Sequence, residues 1–298
     1  MCSASTSRDS LDMQKLLQSR SKMVRDPADR EVEVLEDSQA LKIAAESGYS
    51  LHDVYVEALD LGIYPYRYIR NRETISREEQ LRLANARVAV VGAGGLGGQV
   101  ILLLARVGVG HIVVVDYDSF DETNLNRQAL SSQRAMGMSK SEEAVTVVGA
   151  INPGVLITPH QVRIDPSNAK EVLKGSDVIV DALDNIPARF TIEDASRSMG
   201  IPLVHGALAG LEGQLMTVFP DDPGIKRLYG TSLTGGERSK SPEAVLGVPV
   251  LMPSFIATLQ ATEVLKIILK RGRLFRNVMV HVDLESGKMN EFTFGDSD

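Results

Sequence analysis

Hydrophobic positions run in two rhythms along this chain. From Val88 onward, short unbroken runs of aliphatic residues (VAVV, HIVVV, VIV) alternate with longer stretches of helical periodicity. Apolar runs without polar alternation predict strands buried on both faces of a parallel sheet. Strands are expected at Val88–Val91, in HIVVVD ending on Asp116, at Val155–Pro159, at Val178–Asp181, in IPLVHGALAG and in GQLMTVF. Helices are expected from the glycines after Val91 through Gln99–Val107, from Lys140, over Ile186–Ser198, and along VLMPSFIATLQATEVLKIILKR. NVMVHVDL and MNEFTF read as a closing hairpin. This alternation predicts an α/β fold: a Rossmann-like, doubly wound, largely parallel sheet with antiparallel C-terminal strands.

Upstream, residues 1–66 lack strand patterning and read as a small helical N-terminal extension. Ser10–Met23 is amphipathic. Asp37 or Ser38 caps a helix running through Ala45 to Gly48, and Ser50 with Asp53 caps another that Gly62 and Pro65 stop. Ser76 with Glu79 makes a capping box for a helix to about Ala84. Just before it, Arg67, Arg70 and Arg72 crowd one turn, which by composition alone reads as a solvated basic surface.

Chemistry concentrates after the first buried strand. Gly92, Gly94 and Gly97, with Gly95 between them, fit G-x-G-x-x-G: a tight turn, room for a phosphate against backbone, and close helix–strand contact. The helix N-terminus that follows offers free N–H groups to an anion. Asp116 ends the next strand near the roughly 20-residue offset at which an acid meets a ribose hydroxyl. Those features alone permit a dinucleotide. Beyond Asp116, however, DSFDETNLNRQ carries Asp118, Asn124, Arg127 and Gln128, and Lys140 opens another helix. Strand-to-helix loops of a doubly wound sheet open on one edge, so an arginine fork, a lysine point charge and amides there suggest a triphosphate. Asp184 and Asn185 follow a further strand on the same edge. Asp184 either caps the next helix or holds Mg²⁺, which suits hard oxygen ligands beside phosphates. Arg189 stands one turn on, in reach of that carboxylate. His205, at a strand end, has no role assigned.

Composition narrows the classes. The chain has 298 residues, 43% of them hydrophobic, and a formal net charge of −7. The acidic balance argues against nucleic-acid or anionic-membrane partners. A single cysteine, Cys2, excludes an intrachain disulfide and a cysteine-built zinc site. The leader MCSASTSRDS has no apolar core, and no apolar run is expected to reach the roughly 18 residues of a membrane helix. A cytoplasmic location is expected.

RYIRN, VVGAGGLGG, ARVGVG, VDYDSFDETNLNRQ, the Lys140 segment, INP, DALDN, GQLMTVF and LQATEVLKII occur together and in this order. In that combination the chain, over residues 67–298, resembles the ThiF/MoeB/HesA family, related to the adenylation domains of ubiquitin-activating enzymes. The resemblance implies an ATP-binding adenylation domain. It would use MgATP to adenylate the C-terminal Gly-Gly carboxylate of a ubiquitin-like sulfur-carrier protein and release pyrophosphate, within a homodimer. By position it makes Asp116 the ribose ligand, Asn124, Arg127 and Lys140 phosphate ligands, Asp184 the Mg²⁺-associated acid, and Arg70 an arginine reaching the partner's site. Two departures accompany it. Relatives with structural zinc carry two C-x-x-C pairs, whereas this chain reads RLYG at Arg227–Gly230, so no zinc is expected. With Cys2 the only thiol, no thioester step is expected either. A NAD- or FAD-binding oxidoreductase, a non-catalytic nucleotide-binding scaffold, and adenylation of a small-molecule or RNA-linked carboxylate remain the other readings.

Overall fold

The computed structural model describes residues 5–230 and 242–294, with side chains from residue 12; Cys2 and residues 231–241 lie outside the described residues. The chain opens with helix α1 (Ser5–Arg20), strands β1 (Lys22–Arg25) and β2 (Glu31–Leu35), helices α2 (Asp37–Ser47) and α3 (Leu51–Asp60), and the short strand β3 (Tyr64–Pro65). The expected helices are present, but β1, β2 and β3 also form a three-stranded sheet that the sequence reading did not assign. The period-two signal does exist in Glu31–Val34, where Val32 and Val34 are buried. It spans too few residues to stand out from its charged surroundings. Ser50 and Asp53 form the expected capping box and Gly48 closes α2 in the left-handed region at φ 75°. The α2 cap itself is Glu36, without a side-chain bond. Asp37 is taken instead by Arg67 and by the Tyr55 hydroxyl at 2.6 Å.

The larger unit begins with α4 (Arg77–Asn85), opened by the Ser76–Glu79 capping box. It continues through β4 (Arg87–Val91), α5 (Gly95–Val107), β5 (His111–Val115), α6 (Lys140–Ile151), β6 (Leu156–His160), α7 (Ala169–Leu173), β7 (Val178–Asp181), α8 (Ile186–Met199), β8 (Leu203–Ala209) and β9 (Glu212–Val218). It ends with α9 (Lys226–Tyr229), α10 (Pro242–Leu246), α11 (Leu251–Leu269), β10 (Val278–Asp283) and β11 (Lys288–Thr293). Eight strands form one sheet in the order β11-β10-β9-β8-β7-β4-β5-β6. The five from β6 to β8 are parallel, and β9, β10 and β11 add on antiparallel.

Both faces are covered. Val88 and Val90 point into a cluster with α5, α6 and α11, and the intervening Ala89 and Val91 into one with α7 and α8. Burying each such valine stabilises the fold by roughly 1.5–3 kcal/mol. Contrary to the sequence expectation, α11 is long and apolar enough, by length and composition, to cross a membrane. Here Ile256, Ala257 and Val264 face the sheet, and buried Gln260 and Glu263 bond inward, Gln260 to the Asp181 carbonyl at 2.8 Å.

The N-terminal elements dock on the amino side of this unit. Asn152 donates to the Tyr68 hydroxyl at 2.7 Å and to the Ala105 carbonyl at 2.8 Å, and Arg67 donates to the Ile151 carbonyl at 2.9 Å.

Candidate nucleotide site

Strand β4 lies between β5 and β7, so the loops leaving its two sides diverge there and open a crevice at the carboxyl edge. A pocket of about 730 Å³ occupies it. Gly92, Gly94, Gly95, Asp116, Asp118, Asn124, Arg127, Gln128, Lys140, Asp184 and Asn185 all line this one cavity. Gly97 does not, because its task is packing: a Cβ there would fall 1.8 Å from the Gly92 carbonyl oxygen. Gly92 turns the chain at φ 98°, with a virtual Cβ 2.5 Å from the Ala182 carbonyl oxygen. At Gly94 the nearest atom to such a Cβ is the Gln128 amide at 3.8 Å, so this backbone stands open to the cavity.

Asp116 binds the glycine loop before any ligand arrives. It accepts from the Ala93 N–H at 2.7 Å and the Asp118 N–H at 2.8 Å, one through each oxygen. Burial pushes its carboxyl above the ordinary value, against those two bonds. Each oxygen keeps a second lone pair for a hydroxyl donor. Lys140 is buried at the N-terminus of α6, with Nζ 3.2 Å from Asp118 Oδ2. A cation at the positive end of a helix opposes the dipole, and burial adds to the cost. Such a placement is disfavoured for the fold alone and is expected where an anion is to be bound. Buried Gln128 leaves its Oε1 without a partner, and the amide's two ends are interchangeable. Among the described residues Arg127 bonds only neutral oxygens, the Thr123 carbonyl at 2.8 Å and the Asn126 amide at 3.0 Å.

Asp184 is exposed in the pocket, one oxygen accepting from the Asn185 amide at 3.2 Å. Of its two readings the helix cap falls to Asn185 instead, which accepts from the Ala188 N–H at 3.0 Å. Arg189 does not pair with Asp184. It is buried, donating to the Leu183 carbonyl and, at 2.7 Å, to the Tyr229 hydroxyl. The expectation of an edge crowded with cations also needs correction: Asp116, Asp118, Asp121, Asp165, Asp184 and Glu243 line the cavity against Arg127, Lys140, Arg163 and Arg189. A polyphosphate therefore needs further positive charge. Asp184, with a free carboxylate oxygen and no cation paired to it among the described residues, suits a hard divalent ion.

Arg70 lies outside the pocket. Of the three clustered arginines, Arg67 is bound to Asp37 and Arg72 to Asp26 at 2.7 Å, while Arg70 is exposed and has no partner among the described residues. Sequence reasoning missed the polar group behind the pocket: Asp181, His205, Tyr229 and Arg189. Its one signal was that Asp181 ends a buried strand; His205, expected at a strand end, lies instead inside β8, in register with Asp181 at the last parallel pair.

These features define a nucleotide-binding α/β protein of the doubly wound type. Residues 68–298 match the ThiF family model. The chain is 41% identical over 220 residues to the SAMP-activating enzyme E1 of Haloferax volcanii, covering 73% of this chain and 80% of that protein. It is 34% identical over 267 residues to the adenylyltransferase and sulfurtransferase MOCS3 of Arabidopsis thaliana, covering 86% of this chain but 56% of that one. The structure of E. coli MccB with ATP superposes with a TM-score of 0.65 at 20% identity, over 83% of this chain and 79% of that chain, which shows a shared fold. The chain belongs to the ThiF family, and with it to the adenylyltransferases of the ubiquitin-like activating type.

Proposed function

We propose that this protein uses MgATP to adenylate the C-terminal Gly-Gly carboxylate of a ubiquitin-like sulfur-carrier protein in the cytoplasm. The observation that carries the reading is the gathering of buried Lys140, Arg127 and the orphaned Gln128 amide around one cavity, with the open backbone of Gly94 and with Asp184. The relatives support the carrier class, one named for activating SAMP and one for sulfur transfer.

The carrier carboxylate is already ionised, so no strong general base is required. Its oxygen attacks the α-phosphorus of ATP, the bond to the β-phosphate oxygen breaks, and pyrophosphate leaves. The barrier lies in bringing anions together, which positioning and cations lower. The glycine-loop N–H groups and Asn124 hold phosphate oxygens, Asp116 accepts from the ribose, and Arg127 and Lys140 neutralise charge on the leaving pyrophosphate. Asp184 would hold Mg²⁺, which when bound would supply further charge neutralisation at the phosphates. Arg70, unpaired among the described residues and outside its own pocket, enters the site of a second copy in a homodimer. The reaction stops at the acyl-adenylate, which passes to an external nucleophile rather than to a thiol of this chain.

Carrier-dependent ATP–pyrophosphate exchange tests the reading. Exchange is expected with a ubiquitin-like protein ending in Gly-Gly and not with one lacking the final glycine. Exchange indifferent to that truncation, or none with any carrier, overturns it.

A further inference from the structure

Behind the loop that bears Asp184 lies a closed circuit of hydrogen bonds. The Tyr229 hydroxyl receives Arg189 Nη1 and Gln214 Nε2, each at 2.7 Å. A hydroxyl has two acceptor lone pairs and one proton. With both lone pairs used, its proton is left for His205 Nε2, 3.2 Å away. Nε2 is thereby an acceptor, so Nδ1 carries the imidazole proton and donates it to Asp181 Oδ2 at 2.7 Å. Asp181 Oδ1 accepts from the Leu183 N–H at 3.0 Å, and the Leu183 carbonyl accepts from Arg189, which closes the circuit. Both sides of the Leu183 peptide are thus gripped, one residue before Asp184.

His205 and Asp181 are fully buried. Burial pushes the imidazole below its ordinary value. It also works to raise the Asp181 carboxyl, but the Arg189 charge and the His205 bond hold that group low. The circuit therefore contains one anion, Asp181, balanced by one cation, Arg189. Among the described residues, Tyr229 is the member contributed by the segment between β9 and α11, and that segment also supplies Glu243 and Val248 to the pocket wall. No cysteine stands in this segment to fasten it by disulfide or thiolate.

We infer that Tyr229 is a positioning residue for adenylation: its hydroxyl locks the circuit that fixes the Asp184 loop, so the segment after β9 and the loop after β7 are set together. This rests on the proposed reaction, yet two of its tests do not use activity. In ¹⁵N-histidine spectra of the intact protein, His205 is expected as the neutral Nδ1–H tautomer; an Nε2–H tautomer overturns the circuit as drawn. Tyr229→Phe keeps the ring and removes the hydroxyl. In that variant the amides of Leu183 and Asp184 are expected to exchange with solvent at least tenfold faster than in the parent, and unchanged exchange overturns the positioning role. Where exchange with the carrier is active, Tyr229→Phe is expected to lower kcat about tenfold with the KM for ATP within twofold. A variant that only melts earlier, with kcat intact, shows a purely structural tyrosine. Should the parent show no carrier-dependent activity, the proposed reaction fails while the tautomer and amide measurements still judge the circuit.

Discussion

The N-terminal module and the carboxyl-edge pocket both hold many charges, and they treat them in opposite ways. In the module the charges close on one another: Arg67 on Asp37, Arg72 and Arg30 on Asp26, Arg20 on Glu46. In the pocket they are left open. Among the described residues, Lys140 shares one carboxylate, Arg127 meets only neutral oxygens, Gln128 Oε1 meets nothing, and Asp184 has no cation. A polar group whose partners are supplied by its own chain contributes to folding. One whose desolvation is left uncompensated costs stability until a ligand completes it. Arg70 is of neither kind: it is exposed and solvated, with no partner among the described residues although its neighbours Arg67 and Arg72 pair, and that availability is why the proposal gives it to another subunit's pocket.

That contrast is broken most severely at Arg70. Arg70→Ala is expected to lower the kcat of pyrophosphate exchange by about 10³-fold, as for arginines supplied in trans to phosphoryl transfer, with the melting temperature unchanged. Mixing it with a Lys140→Ala copy should restore part of the activity through hybrid dimers; no recovery counts against delivery between subunits. Lys140→Ala alone should cost on the order of 10²-fold in kcat and, by removing a buried cation from a helix N-terminus, leave thermal stability equal or higher. A clear fall in stability makes Lys140 a fold residue instead.

Arg67→Ala probes the closed set. It removes bonds to Asp37 and to the Ile151 carbonyl, for a loss of about 1–2 kcal/mol in denaturant unfolding, and should leave kcat within twofold. The smallest effect expected is on pH dependence. Asp26 is held below its ordinary value chiefly by the Arg30 backbone N–H. Asp37 is held low too, the Arg67 and Tyr55 bonds outweighing its burial. Carboxyls depressed in the folded state stabilise fully above their unfolded value of about 3.9 and lose that contribution as pH falls through the folded value. Melting temperature should therefore decline below about pH 4, and less steeply in Arg67→Ala.

Much of the core was legible in advance because its signal is local. Unbroken runs such as HIVVV can be satisfied only between two covered faces, and strand β7 falls where VIVD predicts it. The glycine roles were legible for the same reason, each depending on backbone within a few residues. The strands of the N-terminal module were not, because β3 has two residues and exists only through its pairing with β2. Nor was the choice between Asp184 and Asn185 as helix cap, since both types cap well and a one-residue difference in loop path decides.

The sequence alone determined the class of fold, the glycine turn after the first buried strand and the set of residues gathered along one sheet edge, because periodicity, glycine spacing and strand polarity are properties of the chain taken locally. Tertiary structure decided which charges are spent and which are free: that Arg189 turns inward to Tyr229 rather than to Asp184, that Arg70 is left over while its neighbours pair, and that His205 is a neutral link. Those outcomes depend on partners far apart in the chain, whose meeting is set by packing and desolvation rather than by any pattern along it.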